Sequence, residues 1–127
     1  MVTDIGWEVY PEGLTGLLVS LNEKYSLPPI YITENGAATD DTIEGNEVKD
    51  SLRISYLNQH INAVNRAIEQ GVSINGYFAW SLMDNFEWTE GYEKRFGLHY
   101  VDYFSQKRIP KLSAKFYKEM IRQNRVV

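Results

Sequence analysis

Cysteine is absent from the sequence, and its absence removes two kinds of chemistry. The chain can form no disulfide and can offer no thiolate ligand to a metal ion. Histidine is nearly as scarce, because only His60 and His99 are present and they lie far apart. Two isolated histidines are more often structural or solvated than metal-binding. We therefore expect no metal site, and no feature of the sequence calls for a cofactor.

Basic clusters and long apolar runs are also missing. The 13 Lys and Arg residues are outnumbered by 17 Asp and Glu residues, which gives a net charge of −4. Nucleic acid is not an expected partner, since binding to phosphates needs clustered Lys and Arg. A membrane is not expected either, because no apolar run approaches the roughly 20 residues that span a bilayer. With no cysteine and no signal-peptide pattern, the cytoplasm is favoured, although the compartment is left open.

Aromatic residues, by contrast, make up 13% of the chain, and many lie between Tyr77 and Tyr103. They have two interpretations that composition alone does not separate. One is a packed core with additional surface tyrosines. The other is a carbohydrate site, where flat aromatic faces stack on the apolar C–H face of a sugar ring.

Hydrophobic periodicity predicts helices that alternate with strands. Predicted helices cover residues 13–25, then a stretch from a cap at Asp50 or Ser51 to Gly71, and finally residues 112–123. Predicted strands cover residues 30–33 and 74–80, and the first is apolar on both faces, as is typical of a strand buried between two layers. Residues 37–49 and 81–95 are predicted to be loops, and residues 96–103 a small hairpin or an extended segment.

The same periodicity predicts which helical side chains face inward. These residues are Leu14, Leu17, Leu18 and Leu21 in the first helix, Leu52, Tyr56, Leu57, Ile61, Val64 and Ile68 in the second, and Leu112, Phe116, Met120 and Ile121 in the third.

Alternating strands and helices indicate an α/β fold with parallel strands. Two parallel strands do not make a stable sheet alone, and a closed (β/α)8 barrel has eight strands and about 250 residues. The sequence therefore predicts a slice of a barrel, with open strand edges that favour self-association.

Polar residues follow both predicted strands. Glu34 comes directly after the first, where α/β barrels place active-site residues, although it could instead cap a helix or form an ion pair. Acidic and indole side chains follow the second strand, and they are Trp80, Asp84, Glu87 and Trp88. Carboxylates and indoles suit the hydroxyls and faces of a sugar, but the same residues could be core and loop surface.

Four stretches of the sequence resemble glycoside hydrolase family 1. They are residues 7–14 (WEVYPEGL), 30–36 (IYITENG), 76–88 (GYFAWSLMDNFEW) and 91–103, which begins GYEKRFGL and ends VDY. The resemblance covers nearly the whole chain. It implies the C-terminal part of a (β/α)8 TIM barrel, with residues 30–34 and 74–80 as the seventh and eighth strands.

The resemblance also implies a role for individual residues. Glu34 matches the nucleophile that forms a covalent glycosyl–enzyme intermediate. Trp80 matches the platform under the sugar, and Glu87 the carboxylate that holds the hydroxyls at carbons 4 and 6. Trp88 matches the indole that donates to the hydroxyl at carbon 3, and Phe96 a wall near carbon 6. The implied activity is that of a retaining β-glucosidase.

Glu87 also bears on the substrate. Family members that act on 6-phosphorylated sugars place a small hydroxyl residue at this position, and a carboxylate would repel a phosphate. The sequence therefore favours unphosphorylated β-glucosides or their oligosaccharides, with β-galactosides and β-fucosides as further substrates.

One half of the catalytic pair is missing. The family's general acid/base is the Glu of an Asn-Glu-Pro string, which does not occur here. Asn22-Glu23 and Asn46-Glu47 do not follow a strand and are interpreted as solvated surface acids. We expect the chain to be inactive alone and to need either the missing N-terminal portion of the barrel or self-association. The alternatives are a non-catalytic sugar-binding module and a self-associating partial barrel.

Overall fold

The computed structural model describes residues 1–126, which form an α/β arrangement, as expected. The helices are α1 (Pro11–Lys24), α2 (Ser51–Glu69) and α3 (Leu112–Gln123), and the strands are β1 (Ile30–Asn35), β2 (Ile43–Glu44), β3 (Glu47–Val48), β4 (Ile74–Ala79), β5 (His99–Val101) and β6 (Arg108–Pro110). All three predicted helices and both predicted long strands are present. Pro11 begins α1, where its missing N–H costs no hydrogen bond.

Strands β1 and β4 pair in parallel and bring their carboxyl ends side by side. Ile30 lies opposite Ile74 at the start of the pair, and Asn35 lies opposite Ala79 at its end. The Trp80 N–H donates to the Asn35 carbonyl oxygen at 2.9 Å, which extends the pairing beyond β4. Within residues 1–126 these two strands form a two-stranded sheet, so the outer edge of each is unpaired.

Helices α1 and α2 cover one face of this sheet. Leu18, Ala67 and Val72 are buried there, and Ile32 and Ile74 pack against them. The opposite face is open, because Tyr31 and Phe78 are each 56% exposed. The expectation of a strand buried between two layers is therefore wrong within residues 1–126, since only one layer is present.

Several predicted inward positions are also wrong. The exposed ones are Leu17, Leu52, Ile68 and Ile121. On α2 the buried face includes Arg53 and His60, which a search for apolar periodicity does not select. Arg53 can face inward because it bonds there to the buried carboxylates of Asp41 and Asp50.

The segment 37–49 is not a plain loop. Ala37 and Ala38 are fully buried, and strands β2 and β3 form a short antiparallel hairpin. Residues 96–103, predicted as a small hairpin or an extended segment, contain the single strand β5, which pairs with β6 beyond the predicted segment. Asp50 precedes α2 as expected, but its carboxylate bonds to Arg53 and Ser113 and does not cap the helix.

None of the helices in the described part of the chain is both long enough and apolar enough to cross a bilayer.

Candidate active site

An open cleft of about 430 Å³ lies where the carboxyl ends of β1 and β4 meet. It is lined by Trp7, Glu34, Asn35, Gly36, Tyr56, Trp80, Glu87, Trp88 and Phe96. The five residues to which the family resemblance assigns roles are therefore all brought together. They come from the end of β1, the end of β4 and the loop that follows, although they are spread over more than 60 positions of sequence.

Glu34 is the next-to-last residue of β1, and its neighbour Asn35 is held by two tyrosines. The Tyr77 hydroxyl donates to Asn35 Oδ1 at 2.6 Å, and Asn35 Nδ2 donates to the Tyr56 hydroxyl at 3.2 Å. Burial raises the pKa of both tyrosines, so they stay neutral and keep their protons at neutral pH. These bonds fix the end of the strand that carries Glu34.

Gly36 allows the two strand ends to approach closely. A Cβ atom at this position would lie 1.8 Å from the Trp80 carbonyl oxygen, far inside any normal contact distance. Backbone atoms of Trp80 thus occupy the space that a side chain would need. This contact explains why position 36 is a glycine.

Replacing Gly36 with alanine is expected to destabilise the fold by about 3 kcal/mol or more, since backbone must move to relieve the overlap. Gly16, in the middle of α1, is the matched control, because a Cβ there would meet nothing within 4 Å. Gly16→Ala is expected to stabilise the protein by about 1 kcal/mol through helix propensity. Thermal unfolding of the two variants measures both effects, and equal unfolding temperatures would contradict the account of Gly36.

The loop after β4 presents Glu87 and Trp88 to the cleft. The Glu87 N–H donates to the Gly91 carbonyl oxygen at 2.7 Å, and residues Trp88–Glu90 form one turn of 3₁₀ helix. This turn leaves the Trp88 side chain 84% exposed, while Trp80 at the strand end is 37% exposed. The two indoles are therefore free to contact a ligand that enters the cleft.

Trp7 forms the remaining wall with Phe96. Their ring centroids lie 6.2 Å apart, and Phe96 is buried. The N-terminal segment that carries Trp7 is fixed by the Asp4 N–H, which donates to the Ala38 carbonyl oxygen at 3.1 Å, and by an ion pair between Asp4 and Lys94. Trp7, Asn35, Gly36 and Tyr56 were not predicted as cleft residues. For Trp7 the only signal is its place in the family-like stretch 7–14.

Asp84 does not face the cleft, and its interpretation as a possible sugar ligand is wrong. It is buried, and it accepts hydrogen bonds from Arg95 at 2.6 Å and from the Gly97 N–H at 2.9 Å. The Lys111 ammonium also bonds to Asp84, with Nζ 2.7 Å from Oδ1. A Cβ on Gly97 would collide with the backbone of Asp84, so this part of the loop is also tightly packed.

Asp84 is one member of a group of buried charges below the cleft, which we call the buried ionic network. It comprises Asp41, Asp50, Arg53, Asp84, Arg95 and Lys111, with three acids and three bases. Arg53 contacts Asp41 through both terminal guanidinium nitrogens, at 2.8 and 3.1 Å. No side-chain polar atom buried within the described residues lacks a hydrogen-bond partner. The alternating signs keep each buried charge compensated.

Burial and ion pairing act in opposite directions on these groups. Burial alone would raise the pKa of Asp41, but the hydrogen bond and charge of Arg53, together with Lys111, hold that pKa below its usual value. Burial and the charge of Arg53 lower the pKa of Lys111 despite its two aspartates. Arg53 stays charged, because its aspartates outweigh its burial and raise its pKa.

Acid is expected to weaken the fold through Asp41. Its folded pKa lies below the unfolded value of about 3.9, so ionised Asp41 contributes stability above about pH 4. This contribution is lost as the pH falls through the folded pKa. When the unfolding temperature is measured from pH 6 to pH 2, it should decrease once the pH is below about 4. The decrease should be less steep for Asp41→Asn than for Asp40→Asn, which removes an exposed carboxylate. Identical pH profiles for both variants would contradict this assignment.

The two Asn-Glu pairs remain outside the cleft. Glu47 lies on β3 and forms an exposed ion pair with Lys115 at 3.0 Å, and Glu23 is exposed on α1. Across residues 1–126, no three His, Asp or Glu side chains converge in a way that could hold a metal ion.

Comparison with known proteins identifies the family of the chain. The model of glycosyl hydrolase family 1 matches residues 1–126, and the chain belongs to this family. It is 54% identical over 123 residues to a 1,4-β-D-glucan glucohydrolase of Thermotoga neapolitana, and 48% identical over 119 residues to a 6-phospho-β-galactosidase of Leptotrichia buccalis. A solved family 1 β-glucosidase of Thermotoga maritima superposes with a TM-score of 0.98 at 49% identity, and that protein is also known in complex with deoxynojirimycin.

These relatives are much longer than the chain. The matches cover 96% of the chain but 28% of the Thermotoga neapolitana protein, 93% but 26% of the Leptotrichia buccalis protein, and 100% but 29% of the solved structure. The chain therefore spans a little over a quarter of the TIM-barrel glycosidases that it matches.

Proposed function

We propose that this chain supplies the nucleophile and much of the sugar-binding surface of a retaining β-glucosidase. The observation that carries the proposal is the convergence of Glu34, Trp80 and Glu87 in one cleft at the adjacent ends of β1 and β4. A carboxylate at a strand end supplies the nucleophile of a double displacement, and the aromatic faces and the second carboxylate beside it suit the binding of the sugar.

In the first step, the Glu34 carboxylate attacks the anomeric carbon of the bound β-glucoside. The bond from that carbon to the aglycone oxygen breaks, and the leaving oxygen takes up a proton from a general acid. In the second step, a water attacks the same carbon and gives a proton to the same group, now the general base, while the ester bond to Glu34 breaks and glucose leaves with its original β configuration. Two inversions at one carbon explain the retention.

The remaining cleft residues hold the sugar during both steps. Trp80 supplies a flat face below the ring, and Trp88 offers its indole N–H to the hydroxyl at carbon 3. Glu87 accepts hydrogen bonds from the hydroxyls at carbons 4 and 6, and Phe96 closes the cleft near carbon 6. Glu87 is partly buried and lines the cleft, which suits this role.

The rest of the active site would come from outside residues 1–127. In this proposal β1 and β4 are the seventh and eighth strands of the barrel, and their unpaired outer edges bind its neighbouring strands. The general acid/base would lie on an earlier strand of the barrel, because no Asn-Glu-Pro string is present here. The chain alone is then expected to hydrolyse β-glucosides negligibly, and it is expected to associate with the N-terminal portion of a barrel or with itself.

Covalent capture of an activated 2-deoxy-2-fluoro-β-glucoside tests the nucleophile, because the good leaving group needs no acid and the fluorine slows release. Two samples are compared by intact mass: the chain of 14.7 kDa, and a chimaera in which residues 1–127 replace the matching part of the Thermotoga maritima β-glucosidase. We expect one sugar on Glu34 in the chimaera. A chimaera that is folded but unlabelled would overturn the proposal. Turnover of cellobiose by the chain alone would contradict the expectation that the chain alone is inactive.

A second candidate substrate is a 6-phosphorylated β-glycoside, since one relative is a 6-phospho-β-galactosidase. The negative charge of Glu87 beside carbon 6 argues against it. In the same chimaera, nitrophenyl β-glucoside and its 6-phosphate are compared, with Glu87→Ser as the matched variant. We expect the glucoside to be preferred, and the preference to narrow in the variant. A preference for the phosphorylated sugar in the unsubstituted protein would select this second candidate.

A further inference from the structure

Lys111 connects the two loops that carry the cleft residues, although it does not line the cleft itself. Its Nζ lies 2.5 Å from Asp41 Oδ2 and 2.7 Å from Asp84 Oδ1. All three side chains are completely buried. Asp41 lies seven positions after Glu34, and Asp84 lies three positions before Glu87. One ammonium group therefore bonds to the loop that follows the nucleophile and to the loop that holds the sugar.

Each aspartate is also held by an arginine, so these contacts form a continuous chain. Asp41 contacts Arg53, and Asp84 contacts Arg95 at 2.6 Å. Arg53 in turn donates to the Arg95 carbonyl oxygen at 2.6 Å, which closes the chain into a ring. Arg95 directly precedes the cleft residue Phe96. Lys111 is the one member that contacts both aspartates, since each arginine forms an ion pair with only one of them within the described residues.

The other direct links between the two loops are backbone contacts. Trp80 donates to Asn35, and the Gly36 Cα lies against the Trp80 carbonyl oxygen. These contacts fix the strand ends but lie before the residues that turn away into the loops. Beyond them, the Thr39 N–H donates to the Arg95 carbonyl oxygen at 3.2 Å. Among the described residues, Lys111 is the one whose side chain bonds both to residues 37–41 and to residues 84–87. Buried charges hold such a position because moving the ammonium away from its two carboxylate partners would leave charges uncompensated.

We propose that Lys111 is a positioning residue that sets the placement of Glu34 relative to the sugar held by Glu87, Trp80 and Trp88. This inference rests on the proposed function of the cleft. Three of the sugar contacts belong to β4 and its loop, whereas the nucleophile belongs to β1. Loss of the ammonium should therefore leave sugar binding nearly intact and displace the nucleophile from the anomeric carbon.

Lys111→Met, which removes the charge and shortens the side chain by one atom, is compared with Lys115→Met in the chimaera that captures the sugar. Lys115 lies one turn further along α3, and its side chain is 58% exposed. At a temperature where both variants are folded, capture by Lys111→Met should be about 10- to 100-fold slower, as for a nucleophile misplaced by about 1 Å. The dissociation constant for glucose, which is neutral and gains no ion pair with Glu34, should change by less than about threefold. Lys115→Met should change neither.

A merely structural role would give a different result. Lys111→Met would then unfold at a lower temperature but capture the sugar at the normal rate while folded, and this outcome would overturn the proposal. An equal loss of capture and of affinity would also overturn it, because the whole cleft would be affected.

A second measurement needs no activity and separates this inference from the proposed function. The chain has no cysteine, so Lys111→Cys can be alkylated selectively after unfolding. With 2-bromoethylamine it gains an ammonium at the original length, and with 1-bromopropane a neutral group of the same length. Amide NMR signals of residues 35–41 and 84–88 should match the unsubstituted chain only for the ammonium form. Matching signals for both forms would refute the positioning role, whereas absence of sugar capture by the unsubstituted chimaera would count against the proposed function alone.

Discussion

Replacing Glu34 with glutamine is expected to lower β-glucoside hydrolysis by about 10⁴-fold or more in the assembled protein, since an amide cannot act as the nucleophile. The substitution keeps the size of the side chain, and Glu34 has an exposed position at the end of β1. Stability should therefore change little. The measurements are the hydrolysis rate of an activated β-glucoside and the mass of the 2-fluoro adduct in the chimaera.

Glu47→Gln is the control for this substitution. Glu47 follows an asparagine, as the family's general acid/base does, but it lies on β3 in an exposed ion pair with Lys115. The Glu47→Gln variant is expected to retain full activity. Glu34→Ala adds a second check, because the vacated space admits a small anion such as azide. With azide present, hydrolysis should be replaced by formation of the α-glucosyl azide. Normal turnover by Glu34→Gln would remove Glu34 from the mechanism.

Replacing Arg53 with methionine is expected to destabilise the fold by about 3–5 kcal/mol, as when one partner of a buried ion pair is removed. Arg53 is 1% exposed, and its loss would leave Asp41 and Asp50 buried with fewer compensating charges. It also donates to the carbonyl oxygens of Ala37 and Arg95, which would lose these bonds. Urea denaturation followed by tryptophan fluorescence measures the change.

Two matched variants make this prediction specific. Arg66 lies on the same helix, with a 45% exposed side chain and a partner, Glu12, at 3.9 Å. Arg66→Met should therefore cost less than about 1 kcal/mol. Arg53→Lys keeps the charge but loses the bidentate contact with Asp41, so the decrease in stability should be intermediate. If Arg53→Met were no more costly than Arg66→Met, the network would not be a main source of stability.

The fold could be predicted from the sequence where the pattern is local. Pro11 and the paired prolines after α1 mark the ends of a helix, and the run Ile30–Ile32 marks a strand, because these signals depend only on neighbouring residues. The cleft residues Glu34 and Glu87 could be predicted because the stretches around them resemble the family. No periodicity would have placed these two carboxylates in one cleft.

The buried ionic network could not be predicted, for a physical reason. Lys111 and Asp41 are 70 positions apart, and a lysine or an aspartate in isolation has the sequence signature of a surface residue. Only the folded chain shows that their charges cancel. The same limit explains the error on α2, where Arg53 and His60 face inward and Ile68 faces outward. Burial of a charge depends on its partner, which a single sequence does not reveal.

The balance of charges below the cleft also shapes the electric field within it. Three acids and three bases in alternating order form a multipole whose potential decays steeply with distance. Among the described residues that line the cleft, Glu34 and Glu87 carry the formal charges. The potential that reaches an approaching ligand is therefore negative, and it should attract cationic sugar analogues at long range. Their association should slow as ionic strength rises, while that of neutral glucosides should not.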